Sequence, residues 1–151
     1  MIPATACFNW SGRHFWSLVA NNGSASVSPI NLSNPMVPTK GTDLTVGTNP
    51  LGIAIAPNGL FALVANFGSN SVSPNNLSNP MVPPKGTDLT VGTNPQGIAI
   101  APNGLFALVA NSGSNSVSPI NLSNPMVPTK GTNLTVGSGP ESRGPSTIYF
   151  R

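Results

Sequence analysis

The chain has 151 residues, enough for one domain with a packed core. Hydrophobic residues make up 38% of it, and with 16 glycines the apolar share approaches the ~45–50% usual in globular proteins. Only 6% of residues are charged, six basic and three acidic for a net +3, against about 25% in ordinary domains, which argues against charge-driven disorder and leaves no clustered cations for a nucleic-acid face.

A fixed period organises the chain. Pro57-Asn58-Gly59 returns as Pro102-Asn103-Gly104, a spacing of 45 residues (102 − 57). Asn34-Pro35-Met36 returns at the same spacing as Asn79-Pro80-Met81 and Asn124-Pro125-Met126. The period divides one continuous repeat array, residues 1–151, into units at about 7–49, 50–94 and 95–139, with an irregular tail at 140–151.

Ahead of the first unit, Ala4-Thr5-Ala6-Cys7 faintly resembles the end of a bacterial lipoprotein signal. No basic segment and no apolar stretch precede it, so it reads as an ordinary small-residue terminus without an intact signal peptide. Cys7 is the one cysteine, which excludes an internal disulfide. The first unit carries Gly12-Arg13-His14 where its successors carry Pro-Asn-Gly, and follows the pattern from Leu18 to Asn49. The second and third units differ at seven positions: Leu51/Gln96, Phe67/Ser112, Asn75/Ile120, Pro84/Thr129, Asp88/Asn133, Thr93/Ser138 and Asn94/Gly139.

The third unit shows the local structure. Gly97-Ile98-Ala99-Ile100-Ala101 alternates bulky and small residues, which predicts a strand. The Asn-Gly of Pro102-Asn103-Gly104 predicts a tight hairpin. Leu105 to Ala110 is apolar on both faces, so both faces should be covered. Asn111 to Asn115 is a turn cluster, Ser116 to Leu122 a weaker strand, and Leu134-Thr135-Val136 a short last one. No segment has a helical period, and none approaches the ~18 apolar residues of a transmembrane helix. The prediction is all-β: three tandem four-stranded antiparallel blades of a β-propeller, an incomplete ring in one chain.

The units resemble the YVTN-type β-propeller repeat. The similarity rests on Leu63-Val64-Ala65-Asn66, on Gly68 to Ser73, and on Val91-Gly92-Thr93-Asn94-Pro95-Gln96-Gly97 through Gly104. It covers roughly residues 15–140, and Asn21, Asn66 and Asn111 fall on the motif's asparagine. The resemblance implies a secreted or cell-surface protein. Two features depart from it: Pro29, Pro74 and Pro119 stand in the third strand, and Pro83-Pro84-Lys85-Gly86 interrupts the fourth. A third departure is number, since closed propellers typically have 4–8 blades and open ends would expose apolar faces. Self-association to cover those faces is therefore expected.

Residues suited to catalysis are scarce. Asp43 and Asp88 are one repeat position whose third copy is Asn133. They read as turn residues, the other possibility being a paired-carboxylate site near the axis. His14, the sole histidine, lacks the neighbours of a metal site or catalytic triad. Trp10 and Trp16 suit packing better than sugar stacking, and sequons stand at Asn9, Asn22, Asn31, Asn76, Asn121 and Asn133. No catalytic, cofactor-binding or metal-binding residue is assigned, and no ligand site is identified.

The sequence thus points to a non-catalytic module for binding or scaffolding, without cofactor. Its polysaccharide or protein partner would meet repeated Asn, Ser and Thr groups. Two alternatives stay open: a truncated fragment of a longer surface propeller protein, and a lactonase-like propeller enzyme completed by other chains.

Overall fold

A computed structural model describes residues 6–11, 14–79 and 81–140, with side chains described from Trp16 onward. The irregular tail beyond Pro140 lies outside the described residues. The chain forms three antiparallel sheets in succession, one per repeat.

The first sheet comprises β1 (Ala6–Ser11), β2 (His14–Asn21), β3 (Ser26–Asn31), β4 (Thr39–Lys40) and β5 (Leu44–Thr45). The second has β6 (Pro50–Ile55), β7 (Phe61–Asn66), β8 (Ser71–Asn76) and β9 (Leu89–Thr90). The third has β10 (Pro95–Ile100), β11 (Phe106–Asn111), β12 (Ser116–Asn121), β13 (Thr129–Lys130) and β14 (Leu134–Thr135). Each sheet is a meander in chain order, and its first strand lies innermost, packed against the first strand of the next sheet.

The alternation Ile53-Ala54-Ile55 places its residues opposite Val64, Leu63 and Ala62 of β7. The hairpin between them is longer than a two-residue Asn-Gly turn. Gly59 N–H donates to Ala56 C=O at 2.8 Å, Ala56 N–H donates to Phe61 C=O at 2.9 Å, and Asn58 Oδ1 accepts from Leu60 N–H at 3.0 Å. Gly59 takes a φ of 71°, whereas Asn58 is not left-handed. Pro57 accounts for the difference: its fixed φ starts an ordinary type I turn, and glycine then reverses the chain.

The fourth strand is broken in two. β4 pairs with the end of β3 (Asn31 with Thr39) and β5 with its start (Ser26 with Thr45). Between them Gly41 N–H reaches Pro29 C=O at 2.8 Å. In an antiparallel strand the N and C=O of one residue point the same way. The proline nitrogen therefore faces the break, where no strand partner asks it for a hydrogen. Pro74 and Pro119 repeat this with Gly86 and Gly131. In the second sheet Pro84 replaces threonine, and the β4 counterpart shrinks to a single bridge between Asn75 and Lys85.

Two apolar layers join the three sheets. Leu18, Ala20, Val27 and Val46 of the first sheet meet Ile53, Ala62, Val64 and Leu77 of the second. Phe61, Leu63, Ala65, Val72 and Val91 of the second meet Ile98, Ala107, Val109, Ile120 and Leu122 of the third. β7 is buried on both faces because it lies in the middle of the stack. Each fully buried Leu or Val contributes about 1.5–3 kcal/mol.

Candidate functional site

Within each sheet a line of polar side chains runs from the second strand to the outer edge. Asn66 ends β7, fully buried, and its Nδ2 donates to Ser71 Oγ at 3.0 Å and Ser73 Oγ at 2.9 Å. Ser73 in turn donates to Asp88 Oδ1 at 2.7 Å, and Lys85 Nζ meets the same oxygen at 2.6 Å. The first sheet repeats the line as Asn21, Ser28, Asp43 and Lys40, with Ser28 to Asp43 at 2.6 Å. The third repeats it as Asn111, Ser118, Asn133 and Lys130, with an amide oxygen in place of the carboxylate.

This arrangement settles where the acidic residues stand. Asp43 and Asp88 lie in separate sheets beside the broken outer strand, each engaged by its own serine and lysine. They do not meet at the axis. Lys40 and Ser28 hold the Asp43 carboxyl below its usual value of 3.8. Among the described residues no three His, Cys, Asp or Glu side chains come together as metal ligands. The side chains of Cys7, Trp10 and His14 lie outside those described, as does Glu141. Trp16 is half-buried on β2. Of the sequon asparagines, Asn31, Asn76 and Asn121 use Oδ1 to accept from the backbone two residues on, each at 2.8 Å.

Every junction between sheets repeats the same two close approaches. Thr42 N–H donates to Met81 C=O of the next sheet at 2.9 Å, and Thr87 N–H to Met126 C=O at 2.9 Å. Gly47 lies against Asn66 of the following sheet, where a Cβ would stand 2.7 Å from the amide carbon. Gly92 lies likewise against Asn111, at 2.6 Å. Sequence reasoning singled out the asparagine but missed the methionine and glycine contacts. Their one signal was strict recurrence at the repeat period.

No protein-family model matches the chain, and no curated protein matches it. Solved structures do. A putative 6-phosphogluconolactonase from Bacteroides fragilis superposes with a TM-score of 0.80 at 17% identity, over 90% of this chain and 39% of that one. The periplasmic gluconolactonase of Pseudomonas aeruginosa gives 0.80 at 16% identity, over 91% and 40%. Hydrazine synthase from Kuenenia stuttgartiensis gives 0.71 at 27% identity, over 83% and 34%. The three sheets are β-propeller blades.

The blades do not close a ring within this chain, which spans about two fifths of the lactonase chains that it matches. At these identities the likeness to the lactonases carries the fold alone. The innermost blade strands crowd the axis as a propeller requires: Gly52 leaves no room for a side chain beside the Gln96 carbonyl.

Proposed function

We propose that the chain is a non-catalytic set of YVTN-type propeller blades that binds a partner at the cell surface. The supporting observation is the use made of its few charges. Asp43 and Asp88 are each tied to a serine and a lysine of their own blade, so neither faces the other or a shared cavity. What the blades present instead is a repeated neutral surface of Asn, Ser and Thr, suited to a polysaccharide or a polar protein face.

A second reading is a lactonase-like enzyme whose site is completed by other blades. The superposition on two lactonase propellers favours it. One set of assays separates the two. Purified chain is incubated with gluconolactone and 6-phosphogluconolactone, with and without added divalent metal, and the same preparation is applied to a glycan array and to a pull-down. Binding without lactone hydrolysis is the expected result. Turnover well above the spontaneous rate would overturn the non-catalytic reading.

A further inference from the structure

The two ends of the blade stack expose opposite faces that are buried at the internal junctions. On the third blade, Leu108, Val117 and Val136 are more exposed than their buried copies Leu63, Val72 and Val91. Leu134 is 68% exposed, whereas Leu44 and Leu89 are only partly so. On the first blade the opposite face is uncovered. Val19, Asn21 and Ile30 are half-buried, while Val64, Val109, Asn66, Asn111 and Ile120 are buried. Met36 is 87% exposed, and its copies Met81 and Met126 are half-buried.

The specific contacts are missing in the same matched way. Gly92 packs on Asn111, but a Cβ at Gly137 meets nothing within 4 Å. Thr87 N–H finds the Met126 carbonyl, but among the described residues no carbonyl of a following blade meets Thr132 N–H. The first blade carries the absent partners: Asn21 in the place of Asn111, and Met36 in the place of Met126. It also carries Ile30 where the third blade has Ile120. At these positions, with Val19 for Val109 and Ser17 for Ala107, a third-to-first contact would therefore repeat most of the junction between blades two and three.

We infer that the exposed face of the third blade docks on the first blade of a second copy of this chain. Gly137 lies against that copy's Asn21, and Thr132 N–H donates to its Met36 carbonyl. The contact is head-to-tail, so it must close on itself or grow indefinitely. Among multiples of three, only six falls within the roughly 4–8 blades of closed propellers. Two copies then form one ring with two such junctions. Docking is independent of catalysis, so the lactone assay and the test below fail separately.

The test is the solution mass of wild-type chain and two variants, with circular dichroism on each sample. Wild type is expected at twice the chain mass of 15.4 kDa. Gly137→Val adds its side chain to open space in the single chain but would strike Asn21 across the junction. It is expected to stay folded and to weaken dimerisation by ~100-fold or more. Val19→Lys, on the other face, should do the same, which an association of third blade with third blade would not show. A folded wild-type monomer at tens of micromolar, an aggregate, or a Gly137→Val dimer as tight as wild type would each overturn the proposal. Should Val19→Lys fail to fold, Gly137→Val decides.

Discussion

Asn75 occupies the place that Ile30 and Ile120 hold in the other two blades. It is 1% exposed and faces the first blade beside Ala62. Its Nδ2 donates to Ser73 C=O at 3.1 Å, but its Oδ1 has no partner. A buried acceptor left without a hydrogen bond costs about 1–3 kcal/mol. Asn75→Ile is therefore expected to raise stability by about 1–2 kcal/mol in urea unfolding, since it removes the orphan and restores apolar packing. Ala25 is the second residue out of keeping with its copies. It adopts φ 49°, as Asn70 and Asn115 do at 54° and 48°. Asparagine tolerates this left-handed region better than alanine. The two asparagines also accept through Oδ1 from Asn94 N–H at 2.8 Å and Gly139 N–H at 2.9 Å. Ala25→Asn is expected to stabilise by about 1–2 kcal/mol, read as a higher urea midpoint with unchanged slope. Both effects were hidden in the sequence. Asn75 and Ala25 are visible there as differences between copies, but burial and a positive φ give those differences their sign.

At the scale of the element, the outer strand carries the least backbone pairing and leans most on side chains. Asp43, in the break between its two halves, is tied to Ser28 of β3 and Lys40 of β4. A carboxyl held below its usual value stabilises the fold above that value, and the contribution is lost as acid protonates the folded group. Lowering the pH from 7 towards 3 is accordingly expected to lower the melting temperature of wild type more than that of Asp43→Asn. At pH 7 the variant should melt close to wild type, because Asn133 already does this work in the third blade through Oδ1. Strand positions were legible in the sequence because Ile-Ala alternation, the Pro-Asn-Gly punctuation and the two-sided apolar run of β7 and β11 report local pairing. The side-chain line was not. Ser28 and Asp43 stand 15 residues apart, as Ser73 and Asp88 do, and only the return of the fourth strand joins them.

Across the whole molecule, cover increases towards the middle. The second blade is packed on both faces, whereas the first and third each expose one. In a stack whose units touch only their neighbours, local stability follows the number of junctions a unit makes. Amide exchange in the monomeric Gly137→Val chain is expected to be slowest in β7, with β2 and β11 faster by tenfold or more, roughly one lost junction's worth. Equal rates in all three would show that the chain unfolds as one block. Blade count and propeller class could be anticipated from the period and from resemblance, but the contacts that join blades could not. The Met81 and Met126 carbonyls lie in segments that read as plain loop, and their role as acceptors from Thr42 and Thr87 exists only between units.

Because Gly47 and Gly92 meet the next blade in one way, as do Thr42 and Thr87, the array has no privileged length. Inserting or removing one whole period adds or takes away one unit together with one junction. The leading and trailing faces stay as they were, and no contact has to be reinvented. Should tandem copies recombine out of step, the protein would tolerate the result. Such a chain can gain or lose blades by inheritance accident while the junction chemistry stays fixed, so ring size becomes a matter of counting copies.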